Sequence, residues 1–361
     1  MCGFVCLWKI EEPALAQRMI ERIAHRGPDG VRVSRVPNVP AVMAHCRLSI
    51  IGIKDGTQPI YQGENVLVAN GEIYNYADLR AILGESAFKT RSDSETVLHL
   101  FRSEALRWIA RLDGMFAFVL ATPDRIIAAR DPLGIKPLYM ARIGECLAFA
   151  SELKAFDGLG LKKVEAIAPG GLFDSIEGFR NWYRMPQGAA ELDGTADPEP
   201  IWRELRLVLE EAVSKWMLAE VEVGSFLSGG LDSSIIAALA AQATDRSLKT
   251  FAVGAAGSPD LKTARAVSAH IGSDHPELVF TAKDLAEVLP RVIWRKKVQF
   301  DEGSGTVAAL DEALSLLSGV TSPVDRCSER AIYERLLRDL YEDPDLIFEC
   351  AGMWTAARVS A

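Results

Sequence analysis

The chain has 361 residues, 49% hydrophobic and 25% charged, the balance of an ordinary folded protein of two domains. A formal charge of −9 excludes a nucleic-acid partner, because the longest basic cluster is only Arg295-Lys296-Lys297. No apolar run reaches the roughly 18 residues of a membrane helix, and six scattered cysteines (Cys2, Cys6, Cys46, Cys146, Cys327, Cys350) lack metal-ligand spacing. The expectation is a cytoplasmic protein, with no secretory leader, no membrane association and no disulfide framework.

Residues 14–24 carry apolar positions on a helical period. The apolar run Asn65 to Ala69 reads as a strand that ends at Asn70-Gly71, a turn dipeptide. Ser94 to Ala110 reads as a helix, with Val97, Leu98, Phe101 and Leu106 on one face. Met115 to Ala121 and Ile126 to Ala129 flank Thr122-Pro123-Asp124-Arg125 and predict a hairpin. Many strands with few helices predict sheets packed face to face with helices outside. Residues 184–200, rich in Gly, Ala, Asp and Pro, read as a linker between a first domain over 1–183 and a second over 201–361. The second domain opens with a helix over 201–220 and a strand over 222–227. A glycine-rich turn, a helix over 233–241 and a strand over 248–253 follow, an α/β order that predicts a parallel sheet.

Cys2 alone carries little weight. Removal of Met1 would make it the first residue, whose α-amine, with a pKa of about 7.7–8.0, can serve as general base to its own thiol. Further motifs follow in order: His25-Arg26-Gly27-Pro28-Asp29, Arg47-Leu48-Ser49-Ile50-Ile51, Asn70-Gly71-Glu72-Ile73-Tyr74-Asn75 and Ser92-Asp93-Ser94-Glu95. Leu112 to Phe118 and Ala129 to Tyr139 complete the series. Together these motifs resemble the class II glutamine amidotransferase domain, which implies an α+β N-terminal-nucleophile fold (αββα) over the first 180 or so residues. Within that resemblance Cys2 is the nucleophile. Arg47 suits the α-carboxylate of glutamine, and Asp93 with Glu72 suits its α-amine. Leu48, Ser49, Ile50 and Ile51 complete the glutamine-binding segment. Asn70 and the amide of Gly71 would form the oxyanion hole. Tyr74 and Asn75 read as structural, and Cys6 and Cys46 as inert core thiols.

Ser228-Gly229-Gly230-Leu231-Asp232-Ser233-Ser234 follows the predicted strand and opens a helix. Glycines there let backbone N–H groups approach phosphate at a helix N-terminus, and the absence of a Gly-Lys-Ser/Thr ending excludes a Walker A loop. The loop is similar to the pyrophosphate loop of enzymes that split ATP into AMP and pyrophosphate. The resemblance implies that Ser228, Gly229, Gly230 and Ser233 hold pyrophosphate and that Asp232 binds Mg²⁺. Phe226 and Val253 would line the adenine. Trp294 to Phe300 resembles a late segment of asparagine synthetases, in which Lys297 matches the lysine that stabilises charge as a carboxylate attacks ATP.

The second half departs from that family between Val288 and Leu289. A further synthetase stretch, with a second signature Ser-Gly-Glu-Gly-x-Asp-Glu, is not found, and Ser318-Gly319 is followed by the wrong residues. An internal deletion is the preferred explanation, leaving the α/β ATP-binding domain truncated internally. Expected ligands are glutamine, ATP with Mg²⁺, and aspartate or another carboxylate. Expected associations are a homodimer or a partner that completes the shortened domain. Three readings stand: a glutamine-dependent amide ligase, a stand-alone glutaminase with a defective synthetase half, and a non-catalytic glutamine- or nucleotide-binding partner protein.

Overall fold

The computed structural model describes residues 2–103, 108–161, 163–186, 197–285 and 287–288. Among the described residues the chain divides into two compact units, Met1–Gly224 with Ala238–Arg246, and Ser225–Ala237 with the described residues from Ser247 to 288.

Every residue of β1 (Gly3–Trp8) is buried, and side-chain alternation sends its two faces into different cores. Phe4, Cys6 and Trp8 join one cluster, while Val5 and Leu7 join another beneath helix α1 (Pro13–Glu21), which supplies Ala16, Met19 and Ile20. The chain continues through β2 (Gly30–Arg35), β3 (Ala41–Arg47), β4 (Ile60–Gln62), β5 (Asn65–Ile73), α2 (Tyr76–Leu83) and α3 (Glu95–Ser103). Then come β6 (Gly114–Ala121), β7 (Ile126–Arg130), β8 (Tyr139–Ile143), β9 (Cys146–Ala150), β10 (Glu165–Ala166), β11 (Gly171–Asp174) and β12 (Gly178–Asn181). These strands form two six-stranded sheets, in the orders β10-β8-β9-β1-β3-β2 and β12-β11-β7-β6-β5-β4. The shared cluster takes Met43 and Phe149 from the first sheet and Val66, Val68, Val119 and Phe173 from the second. The sheets therefore pack face to face. Leu67, Phe116, Phe118 and Leu120 look the other way and meet Leu79, Val97 and Leu98 of α2 and α3. Strands covered on both faces carry near-continuous apolar runs, which is why β1, β3 and β6 show no polar alternation.

The expected αββα layering is thus observed, and the hairpin around Thr122 is present with one extra residue at the outer end of each strand. The turn expected at Asn70-Gly71 is corrected: β5 runs straight through both residues, paired with Ala117 and Phe116 of β6. Gly71 has φ +151°, and a Cβ there would sit 2.1 Å from the Met115 carbonyl oxygen. Close strand approach, not a turn, demands the glycine. The helix expected over 94–110 is described as α3 and, from Trp108 to Arg111, a 3₁₀ turn; residues 104–107 lie outside the described residues. Most of the expected linker, 187–196, also lies outside them.

Helix α4 (Glu199–Trp216) belongs to the first unit and ends four residues before the expected Glu220. Beyond it run β13 (Gly224–Phe226), α5 (Leu231–Gln242), β14 (Lys249–Ala255), α6 (Pro259–Ile271) and β15 (Glu277–Phe280). The sheet order is β13-β14-β15, with β14 and β15 parallel. Ser258 caps α6 by accepting the Asp260 amide at 3.2 Å, Pro259 occupies its first turn, and left-handed Gly272 ends it. His275 Nδ1 lies 2.8 Å from Thr250 Oγ1, a packing role. Among the described residues, no helix is long and apolar enough to cross a membrane.

Candidate active site

Strand parity builds the site. Phe4, Cys6 and Trp8 point between the sheets, and Cys2 continues that parity just before β1. Met43 places Arg47 of β3 on the same inner parity, and Val66 and Val68 do so for Asn70 and Glu72 of β5. The two sheets thus bring Cys2, Arg47, Asn70 and Glu72 to one end of the inter-sheet layer.

The Cys2 thiol lies against a single peptide region. Leu48 N donates to Cys2 Sγ at 3.3 Å, and Sγ is also 3.3 Å from the Leu48 carbonyl oxygen. Burial pushes this thiol above its ordinary pKa, so it needs a base to become a nucleophile. The Cys2 carbonyl is fixed independently. Arg26 Nε donates to it at 2.8 Å, and the Asn70 side-chain amide, oriented to satisfy both its ends, donates at 3.0 Å while accepting from Arg26 Nη2 at 3.3 Å.

Arg26 is held in turn by Glu152, whose Oε1 accepts from Arg26 Nη1 at 2.7 Å. Lys154 Nζ stands 2.7 Å from Glu152 Oε2, and His25 Nε2 stands 3.2 Å from Oε1. Burial alone would raise the Glu152 pKa, but His25, Arg26 and Lys154 together hold it down to about 2. Gly27, next to Arg26, packs so closely on β3 that a Cβ would lie 2.3 Å from Arg47 N. Asp29 completes the turn by accepting the Ser49 amide at 2.8 Å.

Arg47 Nη1 donates to the Ile53 carbonyl at 3.1 Å and Nη2 to the Gly52 carbonyl at 2.6 Å, so a loop of backbone oxygens sets its guanidinium plane. Glu72 and Asp93 form a like-charge pair. Asp93 is buried and accepts the Ile73 amide at 2.7 Å. Burial first and Asp93 second push the Glu72 carboxyl well above the ordinary carboxylate range, and burial also raises Asp93. The Glu72 Oε2 oxygen is buried with no hydrogen-bond partner among the described residues. Lys136, also buried, is pushed down to about 8, mainly by burial and then by Arg26. Asp131 sets the backbone that carries Lys136, accepting the amides of Leu133 (3.1 Å), Ile135 (2.9 Å) and Lys136 (2.9 Å).

Tyr74 and Asn75 are structural: the Asn75 amide bridges the Arg111 carbonyl (2.8 Å) and the Asp113 N–H (3.0 Å). Cys6 and Cys46 are fully buried, and burial raises Cys46 to about 12. Ser49 and Ile51 are buried, while the Ile50 carbonyl accepts the Glu220 amide at 3.0 Å. Sequence reasoning assigned no role to Arg26, Asp29, Lys136, Glu152 or Lys154, although Arg26, Asp29 and Lys136 lay in noted motifs. Their charge inside apolar surroundings was the available signal.

In the second unit, Ser228 Oγ and Ser233 Oγ are 2.9 Å apart. Gly229 has φ +81°, and a Cβ there would meet Ala264 N at 2.7 Å, so only glycine lets the loop pass α6. Ser234 Oγ donates to the Gly230 carbonyl at 2.6 Å. Phe226 faces Phe251 at 6.1 Å, and Val253 is about half exposed (52%). Asp232 stands in the first turn of α5, and no group of three or more potential metal ligands occurs among the described residues. Lys297 and residues 289–361 lie outside the described residues.

Residues 1–169, which include Cys2, match a family described as glutamine amidotransferase domain. A second family, described as asparagine synthase, matches residues 204–322. The chain is 36% identical over 315 residues to asparagine synthetase [glutamine-hydrolyzing] 2 of Oryza sativa subsp. japonica, covering 81% of this chain and 52% of that one. It is 37% identical over 316 residues to the Zea mays asparagine synthetase [glutamine-hydrolyzing], covering 81% and 53%. It is 36% identical over 325 residues to the probable asparagine synthetase [glutamine-hydrolyzing] of Schizosaccharomyces pombe, covering 81% and 58%. Over most of its length the chain is thus similar to glutamine-hydrolysing asparagine synthetases. It spans slightly more than half the length of these relatives. Among solved structures, glutamine phosphoribosylpyrophosphate amidotransferase from B. subtilis, complexed with ADP and GMP, aligns at TM-score 0.45 and 18% identity, covering 83% of this chain and 71% of that one.

Proposed function

We propose that this chain hydrolyses glutamine at Cys2 to glutamate and ammonia, and that its second domain uses the ammonia to amidate an ATP-activated carboxylate. The observation that carries the first half is the set of groups on the thiol's side of the inter-sheet layer: a fixed guanidinium at Arg47 and a buried pair of acidic side chains whose Glu72 Oε2 has no hydrogen-bond partner among the described residues. An unpaired buried carboxylate oxygen is costly alone and is relieved by a cation. The α-amine of glutamine supplies that cation, while Arg47 receives the α-carboxylate.

With both ends of the amino acid held, the side-chain carboxamide faces Cys2. Once hydrolysis of the Met1–Cys2 peptide bond has removed Met1, the freed Cys2 α-amine takes the thiol proton, and sulfur attacks the amide carbon. Asn70 and the Gly71 amide hold the oxyanion, which collapses to a thioester as the proton passes to departing ammonia. Water then attacks the thioester, releasing glutamate and restoring the thiol. Arg26, itself anchored on Glu152, and Asn70 hold the Cys2 carbonyl, so that the thiol and amine turn about a fixed peptide.

The Ser228–Ser233 turn fits a phosphate group, with two adjacent hydroxyls and a glycine backbone at a helix start. ATP bound there would supply the adenylyl group that activates a carboxylate, with Mg²⁺ held by phosphate oxygens and Asp232. Aspartate is the carboxylate that gives asparagine, the product in the relatives' names. Phe226 and Val253 would contact adenine, and Lys297 would balance the charge at the attacked phosphate.

The test follows glutamate, pyrophosphate and asparagine together in a mixture of purified protein, glutamine, Mg-ATP and aspartate. Cys2→Ala is expected to lower glutamate release by on the order of 10³-fold or more. Glutamate without pyrophosphate would reduce the function to a glutaminase. No glutamate from the wild-type chain would reject both halves.

A further inference from the structure

We infer that Glu220 is a positioning residue for glutamine recognition, contributed from the same compact unit but from outside the segment that matches the amidotransferase family. It lies outside the matched 1–169 segment, within the 204–322 asparagine synthase match. The inference rests on the reading of Arg47 as the group that receives glutamine's α-carboxylate.

The Glu220 carboxylate accepts the Gly52 amide through Oε1 at 3.1 Å and the Ile53 amide through Oε2 at 3.2 Å, and the Glu220 N–H donates to the Ile50 carbonyl at 3.0 Å. The carbonyls of these same two residues, Gly52 and Ile53, are the ones that hold the Arg47 guanidinium. Glu220 and Arg47 therefore grip one short loop from opposite sides. The loop has little freedom to find another anchor. Gly52 is left-handed at φ +62°, with a Cβ position 2.8 Å from Ser92 N, and its carbonyl also accepts the amide of Gly56 at 2.7 Å. A Cβ on Gly56 would meet Arg47 Nη2 at 2.9 Å.

An anion on two N–H groups orders the loop backbone and polarises it toward stronger carbonyl acceptance. Two further contacts register the segment that delivers Glu220. Trp216 lies 5.5 Å from Tyr74, ring centre to ring centre, and Lys215 Nζ is 3.0 Å from Asp113 Oδ2. Tyr74 directly follows β5, the strand of Asn70 and Glu72. The chain after α4 is thereby tied to both the guanidinium and the carboxylate end of the glutamine pocket. Glu220 touches neither the thiol nor the carboxamide, so its removal weakens binding and leaves chemistry in place.

The experiment uses the full chain with two readouts, steady-state glutaminase kinetics and calorimetric glutamine binding in a Cys2→Ala background. Glu220→Ala is expected to raise KM for glutamine, and Kd in the Cys2→Ala background, about five- to tenfold, the order of one lost charge-assisted bond, with kcat within about twofold. Glu220→Gln keeps an acceptor oxygen and is expected to fall between wild type and Glu220→Ala, which also covers a misfolded alanine variant. Unchanged KM and Kd in both variants overturn the inference and leave the glutaminase reading intact, as does a fall in kcat at constant KM. A wild-type chain that hydrolyses no glutamine, with a Cys2→Ala form that binds none, rejects the glutaminase reading itself.

Discussion

Glu152 is a buried carboxylate ringed by Arg26, Lys154 and His25, and its folded pKa of about 2 lies below the ordinary 4.5. The group therefore contributes stability that is fully present above the unfolded value and is lost as pH falls from about 4.5 toward 2. A depression of this size corresponds to about 3 kcal/mol. Glu152→Gln leaves Arg26 and Lys154 without their anion, and is expected to lower stability at pH 7 by about 3 kcal/mol. Urea unfolding from pH 7 to pH 3 checks this: the wild type should lose stability below pH 4.5 faster than the variant. Equal slopes would show that the carboxylate titrates alike in both states. Because Arg26 also grips the Cys2 carbonyl, the same variant should slow glutamine hydrolysis.

At the scale of the element, β5 carries the site through a position where only glycine fits. Gly71→Ala would push a methyl group to 2.1 Å from the Met115 oxygen at φ +151°, so β5 and β6 must part beside Asn70. A loss of more than about 2 kcal/mol is expected, with loss of glutaminase activity. Gly144→Ala is the control, since at φ +63° it meets nothing within 4 Å and should cost only about 1 kcal/mol. Chemical denaturation of both variants tests the contrast, and similar costs would refute it. This position also marks what was legible. The apolar runs Asn65 to Ala69 and Met115 to Ala121 read as strands because both faces are covered, and the motifs meet where Leu48 and Asn70 touch Cys2 and Asp93 accepts the Ile73 amide. The Asn-Gly pair read as a turn because local propensity cannot see a neighbouring strand. Arg26 and Glu152 meet across 126 positions and Glu220 meets Gly52 across 168, pairings that depend on the packed sheets and on where α4 stops. No periodicity within a single segment encodes them.

For the molecule as a whole, two compact units imply two places where ligand binding feeds into stability. The first unit holds the clusters between and outside the two six-stranded sheets. Among the described residues of the second, Leu227, Leu248, Ala252, Leu261 and Ala264 are buried around a three-stranded sheet. Thermal unfolding is therefore expected in two transitions, the lower belonging to the second unit, because buried apolar area sets the available stabilisation. A ligand at one hundred times its Kd adds about 2.7 kcal/mol to the unit that binds it. In a Cys2→Ala chain that cannot consume glutamine, saturating glutamine should raise the upper transition and Mg-ATP the lower. Scanning calorimetry with each ligand alone separates the three readings of this chain. Both shifts fit a ligase, and a glutamine shift alone fits a glutaminase. Both shifts in a chain whose Cys2 form releases no glutamate would mark a binding protein. Glu220 adds one condition: Glu220→Ala should reduce the glutamine shift and leave the Mg-ATP shift unaltered, because the hydrogen bonds of its carboxylate among the described residues go to the loop that holds Arg47.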